Sequence, residues 1–371
     1  MNMFSEKITS ILEQYANSKI EVLCSHYGID LEEAKKVIAD SETNEIIADN
    51  KPKRVKKKRT TRIVPTTPFI SPPTFEINDD NWLSFLEEEG FVVIRDAISE
   101  TNMNTAVQMF KNDYTKISPK WDWDNAETWT TNNSPMMWGK GASTFNGIGQ
   151  SDSLWYLRLN SVAKTAFSKI YNTDELVTSF DGASVFVSET QKSPSWLHQD
   201  QNRDNKLLSV QGILNLLKCD QNDAGFVCVP KSHKSYLGAK SKKDWILVPN
   251  DDPILNDVVK ILTPPRSLIL FNSRLIHANT GMSKNHPDGV HINRISAYIT
   301  FAPASRRDNT LRNKRIQAYF DGETTSHWPS KFEPKKIPFT VSKNYKERNL
   351  NHILPTLTEN NDIPSERLLY I

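Results

Sequence analysis

The residues most capable of chemistry lie in the short string Trp196-Leu-His198-Gln-Asp200. Side chains two residues apart on an extended segment point to the same side of the strand, so His198 and Asp200 can face a common point. An imidazole nitrogen and a carboxylate oxygen are both ligands for divalent transition metals. The pair therefore predicts part of a metal site, which needs at least one further ligand.

The third ligand can come from the remaining histidines, and His277 has the best position among them. It follows the apolar segment Ser267–Phe271 through a short turn, so it lies near the end of a buried strand. Adjacent strands of one barrel could bring it beside His198 and Asp200. Spacing alone is a weak signal, because a histidine in a strand is more often packed or solvated. The other candidates are His26, His233, His286, His291, His327 and His352.

Two imidazoles and one carboxylate on one face of a metal ion leave neighbouring coordination positions open. That arrangement suits non-haem Fe(II) chemistry, in which a cosubstrate and O₂ occupy the open positions. The chemistry therefore depends on elements that bring the three residues together.

The predicted elements change in character along the chain. A short helix at about 82–89 precedes the apolar strand Phe91–Ile94, and helical patterns cover about 100–116 and 152–171. After residue 180, short strands separated by turns favour an antiparallel barrel or a two-sheet sandwich. The predicted strands there are Ser184–Ser188, Leu207–Lys218, Gly225–Val229, Ser267–Phe271 and Ile295–Phe301.

Charge divides the chain into regions that the net charge of +2 conceals. Residues 1–50 hold 4 basic and 10 acidic side chains, whereas residues 51–62 hold 8 basic and no acidic ones. This balance excludes a uniformly basic nucleic-acid coat. We predict a small helical head at 1–40, a disordered basic linker containing prolines at 41–73, a barrel domain at 74–330 and a C-terminal extension packing on the barrel at 331–371.

Composition also bears on location and partners. No apolar run approaches the ~20 residues of a membrane span, and the N-terminus lacks the apolar region of a signal peptide. Cys24, Cys219 and Cys228 form neither a disulfide framework nor a zinc pattern, which fits a reducing compartment. We therefore expect a soluble intracellular, cytoplasmic protein. The basic run 51–62 is typical of a solvated linker, and equally of nuclear import or tethering to nucleic acid.

Several motifs, taken in order, resemble the phytanoyl-CoA dioxygenase-like family of Fe(II)/2-oxoglutarate oxygenases, which includes ectoine hydroxylase. The resemblance covers roughly residues 75–330. It implies a mainly β fold with flanking helices, whose core is a double-stranded β-helix of the jelly-roll or cupin type. The matching segments are Gly90-Phe-Val-Val-Ile-Arg95-Asp96, His198-Gln-Asp200, Gly225-Phe-Val-Cys-Val-Pro230-Lys-Ser232-His233, Arg274-Leu-Ile-His277 and Arg294-Ile-Ser-Ala-Tyr298.

The resemblance implies roles for individual residues. His198, Asp200 and His277 would bind Fe(II) and serve as the catalytic centre. Arg294 would pair with the distal carboxylate of 2-oxoglutarate, a role that suits the planar two-donor fork of a guanidinium.

Further polar positions follow from the same resemblance. Gln211 and Asn215 stand four residues apart on one strand and would contact or border the cosubstrate, unless they only line a polar barrel interior. Asn279, Thr280 and Ser283 are alternatives for a second contact to the carboxylate.

The sequence departs from the family pattern in two places. Lys231 stands where the family usually has glycine, which leaves the shape of that turn open. The 17 residues from His277 to Arg294 exceed the expected length, with Asn285–Gly289 as an insertion. Arg274 is the fallback for binding the carboxylate, although we expect it to support the fold.

Three other features have plain structural interpretations. The tryptophan-rich segment 121–138 favours aromatic packing against the barrel, with a substrate pocket or lid as the alternative. His233 is expected to be structural. A basic cluster after the last strand predicts a solvated helix face and consists of Arg306, Arg307, Arg312, Lys314 and Arg315.

The activity implied by the resemblance is that of an Fe(II)- and 2-oxoglutarate-dependent dioxygenase. It would use O₂, with ascorbate as an optional reductant, hydroxylate a small-molecule or macromolecular side-chain substrate, and release succinate and CO₂. Asp200 favours hydroxylation, because halogenating relatives lack this carboxylate. Two alternatives stay open: a catalytically inactive barrel acting as a binding scaffold, and a nucleic-acid-associated module tethered by the basic linker.

Overall fold

A computed structural model divides the chain into two compact units, Met1–Val64 and Pro65–Ile371. The predicted helical head, the basic run and all but the last residues of the predicted linker lie outside the described residues. Within the described ranges, no helix is long and apolar enough to cross a membrane. The structure describes residues 67–130, 132–135, 137–138, 141–187, 196–236, 243–283, 286–289, 291–337 and 348–371.

The second unit is mainly β-structure with flanking helices, as the sequence predicts. The first strands are β1 (Phe69–Ile70), β2 (Thr74–Phe75), β3 (Phe91–Ile94), β4 (Met137–Trp138), β5 (Ala142–Ser143), β6 (Leu176–Thr178), β7 (Ala183–Val187) and β8 (His198–Gln199). They are followed by β9 (Val210–Asn215), β10 (Gly225–Cys228), β11 (Ile246–Leu247), β12 (Val259–Ile261), β13 (Ser267–Asn272), β14 (His277–Thr280), β15 (Ile292–Tyr298) and β16 (Phe301–Pro303). The helices are α1 (Asn81–Glu89), α2 (Glu100–Ile117), α3 (Asp152–Asn160), α4 (Ala163–Tyr171), α5 (Ser232–Ser235), α6 (Asn309–Phe320) and α7 (Ser365–Leu368).

The strands form two main sheets, and the chain crosses between them repeatedly. The larger sheet has the order β2-β3-β13-β9-β15-β7-β5-β4, and the smaller sheet has the order β1-β12-β10-β14-β8-β11. From β7 to β15 the chain crosses repeatedly between the large sheet (β7, β9, β13, β15) and the small sheet (β8, then β10, β11 and β12, then β14). This winding is that of a double-stranded β-helix, so the predicted jelly-roll core is confirmed.

Two apolar layers flank the central strands of the larger sheet. Ile213, Ile269 and Phe271 point toward the smaller sheet and contact Phe226 in a common cluster. Alternate residues such as Leu268 point to the opposite face, where helices α2, α3 and α4 pack in the largest apolar cluster. Because β3 and β13 are buried on both faces, Phe91–Ile94 and residues 268–271 are continuous apolar runs in the sequence.

The predicted helical region 152–171 consists of two helices rather than one. Ser161 adopts an extended backbone conformation that ends α3. The backbone N–H of Val162 then donates to the carbonyl of Ala97, and α4 begins at the next residue. The break lets both helices pack against the larger sheet.

The barrel sheet begins slightly earlier than the predicted start at residue 74. Phe69–Ile70, inside the predicted linker, pair in parallel with Lys260 and Ile261 of β12. This strand lies at the sheet edge, a position compatible with the prolines around it.

The tryptophan-rich segment packs as the plainer interpretation predicts. Trp121 lies 5.1 Å from the ring of Tyr114 of α2 and stacks on Trp129 at 6.2 Å. Trp123 contacts Phe110 of the same helix. These described aromatic residues therefore belong to the layer of helices over the larger sheet.

The prediction of a solvated basic face on α6 is wrong for Arg315. Its side chain is fully buried, its Nε donates to the carbonyl of Ile371 at 2.9 Å, and its Nη2 donates to that of Thr178. The guanidinium also lies 4.2 Å from the ring centre of Phe180. Burial lowers the pKa of Arg315 to about 9. Arg315 thus joins α6 to the C-terminal residues, where Ile363 and Ile371 pack beside Phe180.

Candidate metal centre

The structure brings together the three residues selected from the sequence. His198 of β8 and His277 of β14 are direct partners across an antiparallel pair in the smaller sheet. Asp200 follows β8, and its backbone N–H donates to the carbonyl of Ser273 at 2.8 Å. One ligand atom from each of the three side chains lies within 4.8 Å of the others. Paired strands and the period of two therefore build the cluster.

The geometry of the cluster is centred on the carboxylate. Nε2 of His198 lies 3.5 Å from Oδ1 of Asp200, and Nε2 of His277 lies 3.3 Å from Oδ2. All three residues are buried. Such separations place two nitrogen donors and one oxygen donor around a common point.

Both imidazoles are held in the tautomer that a metal requires. Nδ1 of His198 lies 2.9 Å from the carbonyl of Trp196, and Nδ1 of His277 lies 2.9 Å from that of Leu275. A carbonyl only accepts hydrogen bonds, so each Nδ1 carries the proton in the neutral ring. Each Nε2 then has its lone pair available for coordination.

Hydrogen bonds and charge fix the state of Asp200. Nε2 of Gln211 donates to Oδ2 of Asp200 at 3.0 Å and to Oγ of Ser273 at 3.2 Å. Burial raises the pKa of Asp200, but the nearby His327 and His198 outweigh burial and hold the pKa well below its usual range. Burial and the proximity of His198 lower the pKa of His277. The carboxylate is therefore ionised and His277 neutral, as metal binding requires.

Aromatic side chains enclose the two histidines. The ring of Trp196 stacks on His198 at 4.6 Å, and its Nε1 donates to the carbonyl of Asn279 at 3.1 Å. Phe271 lies 4.5 Å from the ring of His277. Trp245, which is 51% exposed, lies 5.7 Å from His198 and marks the side of the cluster nearest to solvent.

Arg294 lies inside the barrel beside the same strand that carries His277. Its Nη1 donates to Oδ1 of Asn279 at 3.0 Å, and Asn279 is two residues beyond His277 on β14. The guanidinium is only 3% exposed, and burial lowers its pKa. Within the described part of the chain, its Nε and Nη2 have no hydrogen-bond partner. The site thus contains a buried cation with two unused donors.

Further polar atoms without partners lie on β15, the strand that carries Arg294, and on the neighbouring strand β9. Ser296 of β15 pairs directly with Asn215 of β9, and both face the barrel interior. Nδ2 of Asn215 donates to Oγ1 of Thr263 at 3.2 Å. Oδ1 of Asn215 and Oγ of Ser296 are buried without a hydrogen-bond partner among the described residues. The Ser296 hydroxyl and the Arg294 guanidinium supply donors suited to an anionic ligand, whereas Oδ1 of Asn215 can only accept a hydrogen bond.

The other predicted positions have identifiable surroundings. Gln211, predicted to contact or border the cosubstrate, donates to Oδ2 of Asp200 at 3.0 Å. Oγ1 of Thr280 donates to the carbonyl of Gly281 at 3.4 Å. The backbone N–H of Ser283 donates to the carbonyl of Asn222 at 2.8 Å. Asn279 is therefore the one of the three alternatives that the structure places against Arg294.

Arg274 supports the fold, as expected. Its guanidinium donates to the carbonyl of Asn205, in the loop that follows Asp200, and Gln199 donates to the carbonyl of Arg274 at 2.5 Å. It thereby holds the loop after β8 against the turn before β14.

The position where the family usually has glycine keeps a glycine-like backbone. Lys231 has a φ of 63°, in the left-handed region, and its backbone N–H donates to the carbonyl of Glu89. Nε2 of His233 lies 3.0 Å from the carbonyl of Glu87, and a Cβ added at Gly90 would lie 2.3 Å from Nδ1 of His233. The turn therefore packs closely on the end of α1, and His233 has a structural role there.

Sequence reasoning missed several side chains around the centre. Tyr298 and Ser296 follow Arg294 at two-residue intervals on β15, so the period of a strand could have identified them. The hydroxyl of Tyr298 contacts Ser184 and accepts from Nδ2 of Asn279 at 3.1 Å. His327 comes from the segment after α6; in the sequence it is only one of several candidate ligands, and no local pattern distinguishes it from them.

Comparisons with known proteins found a curated relative and solved structures of low similarity. No protein-family model matches the sequence. A curated protein from Aspergillus versicolor, Ava biosynthesis cluster protein O, is 30% identical over 163 residues, which cover 42% of this chain and 51% of that protein. The match thus spans about half the length of the curated relative.

Among solved structures, three similar proteins illustrate the likeness. EctD from S. alaskensis with 2-oxoglutarate and 5-hydroxyectoine has a TM-score of 0.41 and 14% identity, covering 67% of this chain and 86% of that chain. The non-haem α-ketoglutarate-dependent carbocyclase SnoK, from nogalamycin biosynthesis, has a TM-score of 0.41 and 15% identity. The match covers 63% of this chain and 90% of SnoK. HygX from Streptomyces hygroscopicus, with nickel and 2-oxoglutarate bound, has a TM-score of 0.40 and 13% identity. The match covers 61% of this chain and 87% of HygX.

Proposed function

We propose that the protein is a non-haem Fe(II)- and 2-oxoglutarate-dependent dioxygenase of the phytanoyl-CoA dioxygenase-like family, which hydroxylates its substrate and releases succinate and CO₂. One observation carries the proposal. His198, Asp200 and His277 converge in a metal-ready state inside a barrel that also holds a buried arginine with unused donors.

The donor set fits Fe(II). His198, Asp200 and His277 would hold the ion through two neutral imidazoles and one carboxylate, the ligand set typical of non-haem iron oxygenases. The carbonyls bonded to both Nδ1 atoms and the amide of Gln211 would orient these ligands before the metal binds.

The polar region at Arg294 fits a dicarboxylate. A buried cation is costly unless an anion compensates it, and no described carboxylate forms an ion pair with Arg294. His277 and Asn279 lie two residues apart on one face of β14, a separation of about 7 Å. A short dicarboxylate could therefore reach from the metal ligands to the Arg294 guanidinium. Ser296 would add a hydroxyl donor at the same end.

The residues of the chain would bind, orient and shield the reactants. Bound Fe(II) with 2-oxoglutarate would supply the oxygen-activating chemistry needed for hydroxylation. Arg294 and Asn279 would fix the cosubstrate at its distal end, and Gln211 would keep Asp200 aligned. Trp196, packed over His198, would exclude water from one side of the centre.

We further propose a small molecule as the substrate. The similarity to a biosynthesis-cluster protein supports this choice over a macromolecular side chain. The part played by the basic run 51–62, including binding of nucleic acid or nuclear import, stays a prediction. The use of ascorbate also stays a prediction.

Anaerobic titration tests the assembly of the proposed centre. Fe(II) and 2-oxoglutarate added together should give a visible charge-transfer band, because the keto acid would bind the metal through two oxygens. Succinate, which has no keto group, should give none. His277→Ala should abolish the band, whereas the surface variant His352→Gln should retain it. A folded wild-type protein that shows no band and no Fe(II) binding would overturn the proposal.

A further inference from the structure

A second cluster of metal-ligating side chains lies outside the proposed iron centre. Asp223 is in the connection from β9 to β10, and His286 and His291 are in the connection from β14 to β15. One ligand atom of each lies within 4.8 Å of the others. Both histidines belong to the stretch whose extra length distinguishes this chain from the family pattern, so the cluster is not part of the expected iron site.

The separations suit ligands of one ion. Nε2 of His286 lies 3.1 Å from Oδ1 of Asp223, and Nε2 of His291 lies 4.0 Å from the same oxygen. The two imidazole rings are 4.3 Å apart. The side chains of Asp223 and His286 are 4% and 3% exposed, and that of His291 is 29% exposed. The cluster is therefore buried on one side and open to exchange on the other.

The hydrogen bond of His291 leaves the Nε2 lone pair of this residue facing Oδ1 of Asp223. Nδ1 of His291 lies 3.0 Å from the carbonyl of Gly289, so Nδ1 carries the proton of the neutral ring. Its Nε2 lone pair then faces the Asp223 carboxylate without a proton between them. A cation between these atoms would convert an unfavourable arrangement into coordination.

The surroundings of the cluster also favour a cation. The other carboxylate oxygen of Asp223 accepts from the backbone N–H of Asp220 at 2.8 Å, which fixes the direction of Oδ1. The backbone N–H of Asp288 donates to Nδ1 of His286 at 3.1 Å, so without a metal Nε2 of His286 carries the proton and donates to Oδ1 of Asp223. A metal ion at Nε2 would displace this proton to Nδ1, where Oδ2 of Asp288, 3.9 Å away, could accept it. Lys218 pairs with Asp220 at 3.2 Å, and the Lys260 ammonium bonds to the carbonyls of Gln221 and Asp223. Neither lysine forms an ion pair with the Asp223 carboxylate among the described residues.

We propose that Asp223, His286 and His291 bind a divalent transition-metal ion of the Zn(II) type. Two imidazoles and one carboxylate make a common zinc ligand set, and water would complete a tetrahedron. The ion would join the β14–β15 connection to the β9–β10 connection. Since β14 carries His277 and β15 carries Arg294, it would steady both ends of the proposed active site.

Zinc retention by the full-length chain tests this site separately from the iron centre. The variant His198→Ala/His277→Ala removes two ligands of the first cluster and serves as the background. After treatment with a chelator, exposure to Zn(II) and removal of unbound metal, elemental analysis should find one equivalent of zinc in this background. Adding His291→Gln should remove the zinc. Adding His352→Gln, which changes an exposed histidine outside both clusters, should leave the zinc bound.

Folding is checked in the same samples. Because His291 is partly exposed, its replacement should leave the circular dichroism spectrum unchanged. Zn(II) should raise the thermal midpoint of the background variant and not that of the His291→Gln variant. Absence of zinc from the folded background, or its retention after His291→Gln, would overturn the proposal and leave the oxygenase proposal untouched.

Discussion

Arg294 carries a buried positive charge that no described carboxylate balances. Its one described hydrogen bond goes to Asn279, and its other two nitrogens have no partner within the described residues. Arginine tolerates such burial because its charge is delocalised and weakly hydrated. We infer that the distal carboxylate of 2-oxoglutarate is the partner that balances this charge.

We predict that Arg294→Leu weakens 2-oxoglutarate binding about a hundredfold, or about 3 kcal/mol, because a buried charge pair is lost. Fe(II) binding should persist, since Arg294 is not among the ligands. Without cosubstrate, the variant should unfold at the same or a higher temperature, because a buried unpaired charge has been removed. Calorimetric titration and thermal unfolding measure these quantities.

The control for this prediction is Arg95→Leu, at a side chain that is 40% exposed. It should bind 2-oxoglutarate like the wild type. Arg294→Lys should recover only part of the affinity, since an ammonium lacks the planar fork. Equal affinity in the wild type and Arg294→Leu would show that the cosubstrate lies elsewhere.

At the level of elements, two paired strands explain how residues distant in sequence form one centre. His198 and His277 are opposite each other on β8 and β14, and Asn279 lies one period beyond His277. The same alternation places Ser296 on the face of Arg294 on β15. His198, His277 and Arg294 therefore lie on strands, and Asp200 directly follows one, which favours fixed geometry.

The turn at the end of β10 offers a test of backbone strain. Lys231 has a left-handed backbone with φ of 63°, and its Nζ pairs with Glu88 at 3.1 Å and Glu89 at 3.2 Å. We predict that Lys231→Gly is more stable than Lys231→Ala by about 1 kcal/mol, because only alanine keeps the strain. Both variants lose the same exposed ion pairs, so the comparison is matched. Urea unfolding measures the difference, and a more stable alanine variant would contradict the left-handed assignment.

The sequence predicted the elements better than the contacts between them. Strands β7, β9, β10, β13 and β15 and the His198–Asp200 pair follow from apolar runs and the period of two, whereas β11, β12 and β14 were not predicted. Choosing His277 required the family resemblance, because spacing left six other histidines open. The burial of Arg315 could not be predicted, since it depends on the C-terminal residues folding back onto α6. The Asp223 cluster combines two distant connections, so no local pattern could reveal it.

For the molecule as a whole, histidines that are buried in their neutral form make the free energy of unfolding depend on pH. Burial lowers the pKa of His277, His327 and His233 below the ordinary value of 6.5. The unfolded chain therefore takes up protons below pH 6.5 that the folded chain does not, so stability falls as pH decreases through this range.

We predict that the metal-free protein loses at least about 1 kcal/mol of unfolding free energy between about pH 7.5 and pH 5.5. His277 and His327 should contribute most, because His233 is only half-buried. Urea unfolding at the two pH values gives the measurement. A divalent metal at the His198 cluster should reduce the loss, since a bound imidazole takes up no proton. Equal or greater stability at the lower pH would contradict the prediction.

The most direct test of the central claim is the formation of succinate from 2-oxoglutarate by the full-length protein with Fe(II) and O₂. We predict succinate from the wild type even without added substrate, at a rate that the correct small molecule increases. Asp200→Ala should form none while retaining the native circular dichroism spectrum. Succinate formation that is equal in the wild type and Asp200→Ala, or absent from a folded, iron-loaded wild type, would contradict the assignment of His198, Asp200 and His277 as the catalytic centre.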